Sequence, residues 1–168
     1  AVFKKFDGCM DASCLDKKLT LVLDGVQDPG NLGTIIRIAD WFGIEDIVCS
    51  MDTVDVYNPK VVQATMGSIA RVRVEYRELE SFFDSLPATV PVYGTLLEGE
   101  NIYNVPHSAN GIIVMGNEGK GISQPIRKRI SKALRIPNYP ENRETADSLN
   151  VAIATAITCS EFRRTKSL

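Results

Sequence analysis

Three polar stretches, residues 24–37, 116–123 and 136–150, each follow an apolar run and hold most of the side chains able to do chemistry. The middle one reads Gly116-Asn117-Glu118-Gly119-Lys120-Gly121. Glycines packed this densely let a backbone approach a ligand closely or take positive φ, although a plain tight turn explains them as well. The spacing is not GxGxxG, and no Ser or Thr follows a Gly-Lys pair. Neither a dinucleotide nor a nucleoside-triphosphate fingerprint is therefore present, which argues against a nicotinamide oxidoreductase. Residues 120–135 add Lys120, Arg127, Lys128, Arg129, Lys132 and Arg135 with no acid among them. A solvated helix face would look like this, and so would a surface that tracks phosphates.

Other chemistries lack their residues. The one histidine, His107, lies between Pro106 and Ser108 in a polar loop, which argues against a Ser/His/Asp or Cys/His triad. Cys9, Cys14, Cys49 and Cys159 form no CxxC pair and have no histidine cluster beside them, so no metal site is expected. Cys49 ends an apolar run and Cys159 lies in an apolar helical stretch, where cysteine is a core residue. This cysteine usage points to a cytoplasmic protein.

The elements that must position the three loops alternate between strand and helix. Residues 19–23 form a nearly continuous apolar strand of the kind buried on both faces of a parallel sheet. Asn31 is placed to N-cap a helix with Ile35, Ile36, Ala39 and Phe42 at helical spacing, which Gly43 stops. Strands are then expected at 44–49, 70–76, 90–96, 111–115 and 133–137. Helices are expected at 59–66, 79–86, within 122–133 (opened by Ser123, with Pro125 in its first turn) and at 148–164. The whole reads as an α/β fold, a mostly parallel sheet with helices on both faces, whose ligands bind beyond the C-terminal ends of the strands.

Composition agrees. The 168 residues are 44% hydrophobic and 24% charged, the balance of an ordinary globular domain. No apolar run approaches the roughly 20 residues of a membrane span, and no signal-peptide pattern is visible. The net charge of −2 means that any nucleic-acid contact must come from a local basic surface. Residues 1–18 are charged and weakly periodic, and read as a linker or docking arm ahead of one domain at 19–168.

Taken together, the loops resemble the motifs of the SpoU/TrmH family of RNA ribose methyltransferases, in the SPOUT superfamily. Motif 1 is similar to Asn31-Leu32-Gly33-Thr34-Ile35-Ile36-Arg37. Motif 2 is similar to Met115-Gly116-Asn117-Glu118-Gly119-Lys120-Gly121-Ile122. Motif 3 is similar to Ile136-Pro137 followed, after a spacer, by Ser148-Leu149-Asn150-Val151-Ala152. The three occur in the family's order, and the likeness covers roughly residues 19–164.

The resemblance implies a C-terminal trefoil knot and a homodimer whose active site is completed across the interface. It also implies 2′-O-methylation of a ribose in rRNA or tRNA, with S-adenosyl-L-methionine held by Leu96, Gly116, Asn117, Gly121, Ile136, Pro137, Ser148 and Leu149. Family members often carry an N-terminal RNA-binding domain, so residues 1–18 look like the tail of a linker from one and the chain like a catalytic fragment. A non-catalytic RNA-binding or ribosome-assembly factor with the same fold is the competing reading.

The implied catalytic set is Asn31, Arg37, Glu118, Ser148 and Asn150. Each also has an ordinary explanation. Arg37 could be a surface arginine, but the family places it at the ribose 2′-hydroxyl or a neighbouring phosphate. A guanidinium, which stays protonated in proteins, suits stabilisation of a developing alkoxide better than proton abstraction, and the resemblance leaves both roles open. Asn31 could simply cap a helix, Glu118 could be a solvated turn carboxylate, and Ser148 and Asn150 could cap the last helix. The family makes Glu118 a holder of Arg37 and substrate, from its own subunit or from the other. Trp41, on the Arg37 helix, reads as core or dimer interface. The spacer between Pro137 and Ser148 is a few residues longer than usual, and Asp147 stands where many relatives have Glu or Ser.

Overall fold

The structure, a computed structural model, describes residue 15, residues 17–140 and residues 143–164. Six strands form one sheet in the order β3-β2-β1-β5-β4-β6. They are β1 (Leu19–Asp24), β2 (Asp46–Cys49), β3 (Arg73–Tyr76), β4 (Val92–Asn101), β5 (Gly111–Gly116) and β6 (Lys132–Arg135). Every ladder is parallel. The helices are α1 (Pro29–Trp41), α2 (Pro59–Ala64), α3 (Leu79–Asp84), α4 (Gln124–Arg127) and α5 (Val151–Arg163), with a 3₁₀ turn at Ser68–Ala70. The α/β, parallel-sheet expectation therefore holds.

The continuous apolar strands divide their side chains between two cores because successive residues point to opposite faces. On one face Leu19, Leu21 and Leu23 of β1 and Ile113 and Met115 of β5 pack with Leu32, Ile35, Ile36 and Ala39 of α1 and with α5. On the other, Val22, Ile112 and Val114 meet Leu79, Phe82 and Phe83 of α3 and Ile126 of α4. Leu15 is fully buried in this second core. The remainder of the expected arm, residues 1–14 and Asp16, lies outside the described residues.

Several boundaries differ from the sequence reading for identifiable reasons. Asp28 rather than Asn31 caps α1: its Oδ1 accepts the Asn31 backbone N–H at 2.8 Å, and Pro29 takes the first helical position, which its fixed φ suits. The expected helix within 122–133 is only the single turn of α4. Its second half is drawn into the sheet, where Ser131 N–H donates to Val92 O at 2.9 Å and Lys132 pairs with Tyr93. Strand β4 runs on to Asn101 because, after an irregularity between Thr95 and Glu100, it pairs again with β6. Helix α5 begins at Val151, since Asn150 is its cap.

The topology decides where a ligand can sit. From β1 the chain moves outward through β2 to β3, while β5 lies on the other flank of β1. The loops leaving the C-terminal ends of β1 and β5 diverge there, and such a switch point opens a crevice.

Candidate functional site

Residues 24–31 leave β1 and are stitched to the loop that leaves β5. Asp24 Oδ2 accepts the Ser123 N–H at 2.7 Å, and Asn117 Nδ2 donates to Gly25 O at 2.7 Å. Glu118 accepts from the backbone N–H groups of Gln27 (3.4 Å) and Asp28 (3.3 Å) and from Asn31 Nδ2 at 3.0 Å. Because Asp28 has taken the capping role, the Asn31 side chain is free to bridge: its Oδ1 accepts from Asn150 Nδ2 at 2.9 Å. Asn150 Oδ1 in turn accepts the N–H groups of Ala152 and Ile153 at the start of α5. Helix capping and site building are thus two ends of one amide.

Glu118 is therefore no idle turn carboxylate. Partial burial opposes its charge, but the Asn31 amide and nearby backbone N–H groups, its own and those of Asp28 and Gln27, outweigh that cost. The carboxyl is held below its ordinary value.

The glycine loop is shaped by its own asparagine. Asn117 and Gly121 exchange backbone hydrogen bonds at 3.0 and 2.9 Å, and Asn117 Oδ1 accepts from Gly119 and Lys120 N–H. Gly121 takes φ +67, and a Cβ on Gly116 would overlap the backbone of Gly121 and Ile122. Both positions need glycine.

Beside this loop lies a cavity of about 360 Å³, within the range of small-molecule sites. Leu96, Gly116, Asn117, Gly121, Ile136, Ser148 and Leu149 all line it, as do Glu118, Leu134 and Asp147. Pro137, the eighth expected cofactor contact, is not among the lining residues. Apolar walls with loop backbone between them suit a flat heteroaromatic ring and its polar edge, so the residues present fit an adenosine-bearing cofactor.

The expected catalytic residues divide into two groups. Asn31, Glu118 and Asn150 are hydrogen-bonded into one chain across the three loops, and Ser148 lies exposed on the cavity wall. Arg37 stands apart, exposed on α1, and among the described residues it makes no ion pair with Glu118 or any other acid. Within one chain Glu118 holds Asn31, not Arg37. Trp41 is 84% exposed, so of its two expected places the core is excluded.

The other predicted features are accounted for as follows. Cys49 and Cys159 are buried, and burial pushes both thiols up, that of Cys159 to about 12. Cys9 and Cys14 lie outside the described residues. His107 Nε2 is 2.7 Å from Ile102 O and its ring stacks on Phe162 at 4.4 Å. It is a packing residue. In the basic stretch, Arg127 pairs with Glu98 and Arg129 with Asp84 and Glu80, while Lys132 lies over the Tyr93 ring. Internal pairing thus takes up part of the charge expected to face phosphates. Among the described residues no cluster of His, Cys, Asp or Glu could hold a metal, and no helix is long and apolar enough to cross a membrane.

The sequence reading missed Asp24, Asp28 and Ser50. For Asp28 the signal was present, an aspartate directly before a proline at a helix start. Ser50 follows an apolar strand with no flanking pattern to mark it.

The model of the SpoU rRNA methylase family matches residues 18–160, nearly the whole chain. The chain belongs to the SpoU rRNA methylase family. Among its relatives, the 23S rRNA (guanosine(2553)-2′-O)-methyltransferase RlmP of Bacillus subtilis (strain 168) is 39% identical over 145 residues, covering 85% of this chain and 57% of that protein. A solved structure assigned to the TrmH family of RNA methyltransferases, from Porphyromonas gingivalis, shares 46% identity with a TM-score of 0.76, over 87% of this chain and 59% of the other. The AdoMet-bound rRNA methyltransferase from Sinorhizobium meliloti shares 35% identity with a TM-score of 0.80, over 88% and 56%. The chain thus spans little more than half the length of these SpoU relatives.

Proposed function

We propose that this SpoU-family chain transfers a methyl group from S-adenosyl-L-methionine to the 2′-hydroxyl of a ribose in RNA, either rRNA or tRNA. The observation that carries the reading is the meeting of the three loops. The cavity formed by residues of the second and third loops abuts the Asn31–Glu118–Asn150 chain that anchors the first. The likeness to the 2′-O-methyltransferase RlmP and to an rRNA methyltransferase solved with AdoMet supports it.

Bound in the cavity, S-adenosylmethionine would supply a methyl group carried on a sulfonium, with the neutral thioether of S-adenosylhomocysteine as the leaving group. Leu96, Gly116, Asn117, Gly121, Ile136, Ser148 and Leu149 would hold it, and Pro137 would stiffen the chain leaving Ile136. As it attacks, the 2′-hydroxyl gives up its proton to solvent water. Arg37, permanently cationic, stabilises the oxygen as its negative charge develops. Asn31, kept in one rotamer by Glu118 and Asn150, orients the ribose, and Ser148 and Asn150 face the same junction.

On the same reading, residues 19–168 are the catalytic domain, 1–18 an arm, and the C-terminal segment is threaded as the family's trefoil knot. The working form is a homodimer, supported by the exposure of Trp41 at the end of α1, Leu149 just before α5 and Ile153 in its first turn. A second copy covering them would bring another chain to the Arg37 face. The compartment is the cytoplasm, where rRNA and tRNA substrates are available. Calorimetry with S-adenosylhomocysteine tests the cofactor assignment, and transfer of labelled methyl groups to bulk RNA tests the reaction. A chain that binds no S-adenosylhomocysteine at millimolar concentration refutes the proposal.

A further inference from the structure

Glu118 can orient Asn31 only if the backbone it grips at Gln27 and Asp28 is itself fixed. That backbone follows Gly25, where φ +76 turns the chain out of β1 and would leave the Gly25 N–H without a ladder partner. Ser50, 8% exposed at the end of β2, supplies one: its Oγ accepts the Gly25 N–H at 2.8 Å. The same hydroxyl has a single proton and lies 2.6 Å from Asp52 Oδ1 and 3.0 Å from Thr53 Oγ1. The carboxylate is the stronger acceptor, so the proton goes to Asp52 and the hydroxyl lone pairs are left for Gly25.

The surrounding backbone supports the same register. Ser50 N–H donates to Leu23 O at 2.9 Å and Val54 N–H to Val26 O at 3.0 Å, bracketing the Gly25 turn. Asp52 Oδ2 lies 3.2 Å from where a Cβ on Gly25 would stand, so the carboxylate roofs the turn. From the opposite side Asn117 holds Gly25 O. Gly25 is thus clamped at both polar groups by two different loops.

We infer that Ser50 and Asp52 are positioning residues for the methyl-transfer reaction, acting through Gly25 and the 25–28 backbone on Glu118 and Asn31. The inference rests on the proposed RNA methylation, and it assigns the pair no contact with RNA or cofactor. Removing the Ser50 hydroxyl loosens the backbone that Glu118 grips, and one displaced donor is enough to lower turnover. The loss falls on kcat, because the cavity is lined by neither residue.

The experiment compares the wild-type chain with Ser50→Ala, Ser50→Thr and Asp52→Ala. It measures methylation kinetics on bulk RNA, S-adenosylhomocysteine affinity, and amide hydrogen exchange at Gln27 and Asp28. Ser50→Ala is expected to lower kcat about 10-fold with KM and cofactor affinity within 2-fold, and to speed exchange at both amides. Ser50→Thr keeps the hydroxyl and restores most of the rate. Asp52→Ala, at an exposed position where folding is not at stake, lowers kcat about 3-fold and speeds the same amides. Unchanged kcat in both alanine variants, or a loss confined to KM, overturns the inference. So does equal loss in Ser50→Ala and Ser50→Thr. A wild-type chain that methylates no RNA overturns the methyltransferase reading instead, and the exchange measurement then decides whether the clamp exists.

Discussion

The two ends of α1 are built in opposite ways. Its first turn is tied on every side: Asp28 caps it, and Asn31 is held by Glu118 and by Asn150 from the far end of the chain. Two turns later Arg37 and Trp41 project from the same helix into solvent, with no hydrogen bond or ion pair made by either side chain among the described residues. A group that must present fixed dipoles benefits from being locked before substrate arrives. A cation that meets a charged substrate does not need an internal acid, which would neutralise it. On this view the tied end is a scaffold and the free end awaits partners.

The strongest way to break that comparison is to change Arg37. Arg37→Ala and Arg37→Lys are both expected to lose at least about 100-fold in methylation rate, the scale of removing one oxyanion donor. Lysine keeps the charge but not the planar fork. Since the exposed Arg37 side chain makes no hydrogen bond or ion pair among the described residues, melting temperature and S-adenosylhomocysteine affinity stay at wild-type values. A large drop in melting temperature would show that the free end is structural after all.

Gly116→Ala should act on the cavity instead. The added methyl has nowhere to go but into the Gly121–Ile122 backbone, so the loop must shift. Cofactor affinity is expected to fall about 10-fold or more by calorimetry. The Glu118–Asn31 chain lies outside that overlap, so on the proposed function RNA affinity measured without cofactor should persist. Equal losses in cofactor and RNA affinity would mean that the loops do not divide their labour.

How much of this was legible beforehand follows from what fixes each feature. The parallel sheet could be read because its strands are buried on both faces and show as unbroken apolar runs, as at residues 19–23 and 111–115. The cavity walls could be read only through the likeness to the family's motifs, because the glycines by themselves suit a plain tight turn equally well; it is the packing of Gly116 against the Gly121–Ile122 backbone that requires a glycine there. The Asn31–Glu118–Asn150 chain could not, because its members are 87 and 119 residues apart and their types suit turns and caps equally well. The cap itself is ambiguous in sequence, since Asp28 and Asn31 are both good caps and lie three residues apart; only in the structure does Asp28 take it. Helix α4 was overestimated because local propensity says nothing about the pairing of Lys132 with Tyr93. The pairing of Arg127 and Arg129 with Glu98 and Asp84 was hidden for the same reason.

Trp41 sharpens the comparison from the free end. If a second copy covers it, Trp41→Ser should shift the chain toward monomer in sedimentation while leaving the fold's circular dichroism unchanged. An unchanged mass would remove Trp41 from the interface.

The smallest effect belongs to the tied end and appears only in acid. The Glu118 carboxyl sits below its ordinary value of 4.5 in the folded chain because of the Asn31 amide and the backbone N–H groups, despite partial burial. A carboxyl depressed by folding stabilises the fold at pH values above its unfolded pKa. That contribution is lost as pH falls through the lower, folded value. Glu118→Gln removes the titrating group but keeps an oxygen for the N–H donors. Wild type should therefore exceed Glu118→Gln in urea midpoint by a constant margin from about pH 8 to pH 5, and the margin should shrink below pH 4.5 as the carboxylate is protonated. The exposure of the group and solvent screening keep the margin small. A gap that stays constant down to pH 3 would mean that Glu118 is held by shape rather than charge, and that the scaffold at this end of α1 does not depend on an ionised carboxylate.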